Sequence, residues 1–299
     1  EYDPTGNNTA VVDAKGQRIE YSYNAVNRLT QVRYFAAGDH ANPVKVVDFT
    51  YDNLGNLLTY DDGTTSASYT YDDLQRKISE TVDYGAFEKT IAYTYYANGL
   101  KKSFTDPNGA IYEYAYDEGN RLRAMLVPGA GPISYNAYQW NSPVKMTLPG
   151  GSTTDYTYDP LMRVKAILAK DPGQNQVVTR QYQYSAAGNI ASKNTEHGPY
   201  TYQYDALYRL TQADNPTLPD EAYTYDALGN RLTAAGIPGQ WSYNANNELL
   251  GYGSKTFTYD LNGNMTGKAE AGLQTTYIYD VEDRLMRVER GSSSVIAEY

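Results

Sequence analysis

Apolar and polar residues alternate along most of this chain, and the alternation breaks at recurring places. The stretch Tyr223-Thr-Tyr225-Asp226-Ala-Leu-Gly229-Asn230-Arg-Leu232 shows the unit. Residues i and i+2 of a strand share a face, so the two aromatics point one way and the polar residue between them the other. The aspartate then opens a turn: in D-x-x-G, Asp at the first place and Gly at the fourth are each favoured in a type I turn. Its carboxylate can accept a bond from a backbone N–H two residues on. A Leu, Ile, Met or Val begins the return strand. The pattern predicts a β-hairpin with one aromatic face, and helix-period patterns are nearly absent.

The unit recurs from end to end. The best-formed copies hold Tyr51-Asp52 with Gly55-Asn56, Tyr225-Asp226 with Gly229-Asn230, and Tyr259-Asp260 with Gly263-Asn264. A second kind holds Tyr71-Asp72 with Arg76, Tyr158-Asp159 with Arg163, and Tyr204-Asp205 with Arg209. With looser copies and a shortened one at Tyr2-Asp3, residues 1–299 read as about fourteen hairpins, with no separate toxin or core domain and no internal boundary. Tandem repeats at such spacing signal a repeat architecture rather than a single core. One hairpin is marginal in water, whereas stacked hairpins join their aromatic faces and sum many small pair energies.

A longer period runs inside the first. The second aromatics fall at 2, 23, 51, 71, 95, 116, 140, 158, 184, 204, 225, 243, 259 and 279. Of alternate units, five carry Gly-Asn at the turn, and those between mostly carry a bulkier residue and then Arg; units five, seven and twelve depart from the scheme. Glycine accepts positive φ and Gln, Met or Tyr largely do not. The sequence therefore predicts two turn geometries, with the Arg of one class paired to a nearby Asp.

Composition favours a wall over a filled interior. There are 33 Tyr against 5 Phe and 2 Trp, and mean hydropathy is -0.64. A sheet with Tyr on one face and Thr, Ser and Gln on the other can be wet on both sides. At about 4.8 Å per strand the ribbon would run roughly 130 Å, enough for about one turn of a wide spiral. A net charge of -10 argues against a nucleic-acid footprint, which is basic, and no apolar run is long enough for a membrane span. With no cysteine, disulfides and Cys-ligated zinc are excluded. Opening in mid-repeat at Glu1-Tyr2-Asp3, the chain reads as a section of something longer.

The pattern [YF]-x-Y-D-x-x-G-[NR]-[LIM], carried through the whole chain, resembles the YD-repeat or RHS-repeat family. Its members include bacterial RHS toxins, the B and C subunits of insecticidal toxin complexes, and teneurins. The resemblance implies an all-β fold: tandem hairpins in a curved, spiralling sheet, a segment of a hollow shell. It implies a structural role, enclosing a polypeptide cargo that in bacterial members is a C-terminal toxin domain. The partners implied are the remainder of the same polypeptide, namely further repeats, a core segment and the cargo; the setting implied is a secreted or cell-surface bacterial protein. The closing core segment of bacterial shells, with its Asp-Pro motifs, has no counterpart after Tyr279-Asp280.

Catalytic patterns are missing. The two histidines, His40 and His197, lie near Gly and Pro and read as loop residues; there is no nucleophile elbow, P-loop, H-E-x-x-H or G-x-G-x-x-G. The adjacent acids Asp61-Asp62-Gly63 fit a hairpin turn better than a calcium loop. No enzyme activity, cofactor or metal is expected. An alternative reading is an extracellular carbohydrate-binding or adhesion module for cell-surface glycans, with Trp140 and Trp241 stacking on sugar faces. Both tryptophans also read as replacements for Tyr or Phe at equivalent strand positions, where aromatics are favoured.

Overall fold

The computed structural model describes residues 1–291 and 294–298. Every regular element among them is a β-strand, and successive strands pair antiparallel. Twenty-one of them, from Ala10–Val12 to Arg231–Ala234, form one sheet; seven, from Ser242–Tyr243 to Ser294–Glu298, form another. The chain groups into two compact units. The first holds Glu1–Thr90, Asp226–Leu232 and Ile237–Tyr299; the second holds Ile91–Tyr225 and Thr233–Gly236.

Each repeat folds as its pattern dictates, with one addition. In the hairpin around Asp52, Phe49 lies opposite Tyr60 and Thr50 opposite Thr59, but Tyr51 lies opposite Leu57. Leu58 is the extra residue of a bulge. The same one-residue shift recurs before Tyr71, Tyr158, Tyr184, Tyr204 and Tyr259. Bulges bend a strand and increase its right-handed twist, so curvature is written into these repeats just beside their turns. Leu57-Leu58 has no alternation to betray it.

The two turn classes share one geometry, against the sequence expectation. The residue three after the turn Asp has positive φ in both: 101° at Gly55 and 92° at Gly229, but also 61° at Gln75, 61° at Met162 and 62° at Tyr208. The hydrogen bonds are also the same. Asp52 N–H donates to Asn56 O at 3.0 Å and Gly55 N–H to Asp52 O at 3.2 Å; Asp72 N–H donates to Arg76 O at 3.0 Å and Gln75 N–H to Asp72 O at 2.9 Å. Side chains that avoid the left-handed region are held there because the turn's own bonds over-determine it. Several connecting loops on the other edge, such as Asp106 to Ala110 and Asp171 to Asn175, close with the same bonds.

Few side chains are fully buried, although most strand residues are half-buried. The accessible surface is 18215 Å², against roughly 12,600 Å² expected of a compact monomer of this mass. Among the described residues only Ala10, Val32, Phe35, Val47 and Ala67 are buried apolar ones. With so few fully buried side chains, the chain's order comes from half-buried aromatic faces and from bonds between neighbouring repeats.

Candidate functional site

Those bonds form three series along the repeats. The first is the cradle in each turn. Asp72 Oδ1 accepts from the N–H groups of Leu74 and Arg76 at 2.9 and 3.0 Å, and Asp72 Oδ2 accepts from Arg76 Nε at 2.7 Å. Asp159 with Arg163 and Asp205 with Arg209 repeat the arrangement. In the other class Asn stands in for Arg: Asn56 Nδ2 donates to Asp52 Oδ2 at 2.8 Å, Asn230 to Asp226 at 2.9 Å and Asn264 to Asp260 at 3.0 Å. Hydrogen bonding to the charged form holds these carboxyls below their ordinary range: Asn56 does so at Asp52, and the Arg76 side chain, then its N–H, at Asp72. The expected Arg–Asp pairing therefore exists, within one turn rather than between turns.

The second series joins many of the turns to the next, by different contacts in the two classes. From a Gly-Asn turn, the amide crosses to an oxygen on the left-handed residue of the next unit: Asn7 Nδ2 to Asn27 Oδ1 at 2.9 Å, Asn230 to Asn247 at 3.0 Å, Asn264 to Asp283 at 2.7 Å. From an Arg turn, the guanidinium lies over the second aromatic of the next unit: Arg163 over Tyr184 at 4.4 Å, Arg209 over Tyr225 at 4.7 Å, Arg121 over Tyr138 at 4.8 Å. Arg28 lies 6.0 Å from the Tyr51 ring centre and donates to Asp52 O at 2.9 Å. A Cβ on Gly55 would come within 2.7 Å of that guanidinium. A side chain there would have to displace the Arg28 guanidinium from this contact.

The third series was not legible as chemistry, though its signal is the excess of Tyr over Phe. The hydroxyl of the second aromatic donates to a carbonyl at the start of the preceding unit's return strand: Tyr71 to Leu57 O at 2.9 Å, Tyr158 to Pro143 O at 2.7 Å, Tyr204 to Ile190 O at 2.9 Å, Tyr225 to Leu210 O at 2.7 Å and Tyr259 to Leu249 O at 3.0 Å. Phe would fill the same space and lose the bond. On the opposite face, hydroxyls pair across strands, as Thr50 with Thr59 at 2.5 Å and Thr224 with Thr233 at 2.7 Å.

Within the first unit, the loop edge of the early repeats meets the turn edge of the last two. Lys15 Nζ donates to Asp283 Oδ1 at 2.6 Å and lies 3.4 Å from Asp260 Oδ2; Asn262 Nδ2 donates to Asp13 Oδ2 at 2.7 Å. Beside them Lys45 bridges Asp62 at 2.9 Å and Glu282 at 2.6 Å. Burial pushes Asp62 up, but bonds from Lys45, the Thr65 N–H and Tyr60 outweigh it and hold the carboxyl far below its usual range. The phenols of Tyr34 and Tyr60 are pushed up to about 12, by burial first and then by Glu282 and Asp62 respectively. Asp61-Asp62-Gly63 is a hairpin turn, its carboxylates accepting from the Gly63 and Thr65 N–H groups at 2.8 and 2.7 Å.

The tryptophans differ in setting. Unit seven uses Tyr138, not Trp140, as its second aromatic, because the Tyr138 hydroxyl makes the bond to Leu122 O. Trp140 stands in the next tight turn at φ 57°, its side chain 81% exposed. Trp241 stacks on Tyr252 at 4.4 Å with the Arg231 guanidinium 5.4 Å from its ring. No group of three or more His, Cys, Asp or Glu among the described residues could hold a metal ion.

Residues 1–190 and 193–299 match the family described as Teneurin YD-shell. The chain belongs to the YD-shell family. Solved structures share its fold: the crystal structure of TcdB2-TccC3 matches with a TM-score of 0.74 at 15% identity, over 97% of this chain and 20% of that one. The Photorhabdus luminescens Tc holotoxin pore matches at 0.70 and 16%, over 97% and 19%. Among curated proteins, Double-stranded DNA deaminase toxin A of Burkholderia cenocepacia is 26% identical over 249 residues, 81% of this chain and 16% of that protein. The chain thus spans about a fifth or less of the length of these proteins. The YD-shell cradles and latches build a wall, and the role they serve is structural.

Proposed function

We propose that this chain is a section of shell wall enclosing a polypeptide cargo, the toxin domain of the same secreted bacterial polypeptide. The observation that carries the reading is the latching of hairpin to hairpin without a filled core, a construction suited to bounding a space. The relatives' names add toxins to the picture, and the short share of their length covered here leaves room for a cargo elsewhere in a longer polypeptide. In this reading the wall acts sterically, keeping the cargo from protease and target until release. No catalytic step is assigned to the wall.

Limited proteolysis of the full-length polypeptide tests it. The cargo segment is expected to resist digestion while the shell is intact and to be degraded once the wall is loosened by replacing Tyr204 and Tyr225 with Phe. Equal digestion in both states would overturn the reading. One exposed ring, Trp140, favours the carbohydrate alternative, since Trp241 is already stacked on protein. Binding to a glycan array that disappears with Trp140→Ala would support it; an array without signal would remove it.

A further inference from the structure

The seam inside the first unit, where the loop edge of the early repeats meets the turn edge of the last two, is held in part by a side chain that does not last. Two residues after the turn aspartate, the turns of Asp52, Asp159 and Asp226 carry Leu54, Leu161 and Leu228. The turn of Asp260 carries Asn262 there, followed by Gly263. Asn262 Nδ2 donates to Asp13 Oδ2 at 2.7 Å and to Asp283 Oδ2 at 3.0 Å. Asparagine before glycine is the pair most prone to deamidate, because glycine has no side chain to hinder the approach of its nitrogen to the carboxamide.

In that reaction the Gly263 nitrogen attacks Cγ of Asn262 and a C–N bond forms. The N–H proton passes to Nδ2, which leaves as ammonia, and the product is a cyclic imide. Water then opens the imide at either carbonyl, giving aspartate or isoaspartate. The folded turn opposes ring closure twice. The Gly263 N–H donates to Asp260 O at 3.1 Å, and Asp13 and Asp283 hold the carboxamide. Two other Asn-Gly pairs lie in this chain, at Asn98 and Asn108. Their glycines are engaged in the same way, Gly99 N–H with Tyr96 O and Gly109 N–H with Asp106 O, each at 2.9 Å. Their carboxamides are held less. Asn98 Nδ2 donates to the neutral Asn120 Oδ1 at 3.1 Å, and Asn108 is exposed, its carboxamide without a partner among the described residues.

We propose that Asn262 is a deamidation site whose conversion opens this seam one way. Either product puts a carboxylate where a donor stood, facing Asp13 and Asp283. Asp260 lies in the same turn, and Lys15 is already engaged with Asp260 and Asp283. Like charges so close repel. Isoaspartate also lengthens the backbone of a turn that holds Gly263 at φ 87°. Ring closure requires the turn to open locally, so its rate follows the fraction of time the seam is apart. The seam thereby sets the pace of its own release.

Peptide mapping by mass spectrometry of the 299-residue chain, incubated at mildly alkaline pH, tests this. In urea the three Asn-Gly pairs are expected to deamidate at similar rates. In the folded chain Asn108 is expected to lead and Asn262 to trail it by about fivefold or more. Lys45→Ala removes the contact with Glu282 without touching Asn262; it is expected to speed Asn262 by about fivefold while Asn108 keeps its rate. Asn262→Asp is expected to open the amides of residues 13–17 and 260–264 to hydrogen exchange and to leave the strands of the second unit protected, and aged unsubstituted chain should show the same pattern. Melting curves confirm that the variants fold, and the comparison of Asn262 with Asn108 needs no variant. Equal rates at those two positions in the folded chain would overturn the proposal. So would a rate at Asn262 that ignores Lys45→Ala, or hydrogen exchange unchanged by Asn262→Asp.

Discussion

At the residue scale, the fold depends on a hydroxyl that hydropathy does not register. The second tyrosine of each repeat was legible as an aromatic on a strand face, and Phe would have satisfied that reading equally. What distinguishes the two is the bond to a carbonyl of the preceding repeat, visible only once the repeats are laid side by side. Tyr225→Phe removes the donor to Leu210 O and is expected to lower stability by about 1 kcal/mol, the usual net value of such a bond, measured by urea denaturation. The left-handed residues give the opposite case. Gln75 and Tyr208 are exposed and sit at φ 61° and 62°, a conformation costing roughly 1–3 kcal/mol away from glycine. Gln75→Gly and Tyr208→Gly are each expected to stabilise the chain by about 1 kcal/mol after the entropy of glycine is subtracted, read as a higher melting temperature. A lower melting temperature in both would show that these side chains contribute contacts greater than the strain.

At the element scale, hairpins, turns and their alternation could be read from spacing, but the bulge and the purpose of the alternation could not. The bulge at Leu58 follows a run without polar contrast, so nothing in the pattern marks the extra residue. The two turn endings looked like two backbone shapes because Gly and Gln differ in what they tolerate. They are instead two ways of reaching a neighbour from one backbone: Asn gives a short amide, Arg a long planar cation. A double-mutant cycle on Arg163 and Tyr184 measures the second directly. A coupling of about 0.5–1 kcal/mol is expected, as for a partly exposed cation over a ring. Arg163→Lys should keep the charge yet lose much of that coupling, because an ammonium cannot bond the Asp159 carboxylate with two nitrogens while lying flat over the ring. Coupling within error of zero would mean that the guanidinium is held by Asp159 alone.

At the scale of the whole molecule, stability should depend on pH from both sides. The turn carboxyls lie below their ordinary range when folded, Asp3 at about 2 through Asn7 first, and Asp52 and Asp72 likewise lowered. A carboxyl lowered by folding contributes stability above its unfolded value of roughly 3.9 and loses it as pH falls through the folded value. The phenols of Tyr34 and Tyr60, raised to about 12, contribute fully below their unfolded value of roughly 10 and lose it as pH climbs through the folded one. The urea midpoint is therefore expected to stay level near neutrality and drop below about pH 4 and above about pH 10; equal midpoints at pH 3 and pH 7 would contradict the acid half. The tyrosine latches also have a direction. Each hydroxyl reaches back to a strand that precedes it, as Tyr71 to Leu57 and Tyr225 to Leu210, so this one latch needs only residues already made, while the Asn and Arg contacts reach forward to the next unit. A chain leaving the ribosome can fasten the tyrosine of each hairpin to the hairpin before it as it emerges, in the order of synthesis, and draws the seam from Lys15 and Lys45 to Asp283 and Glu282 only at the end.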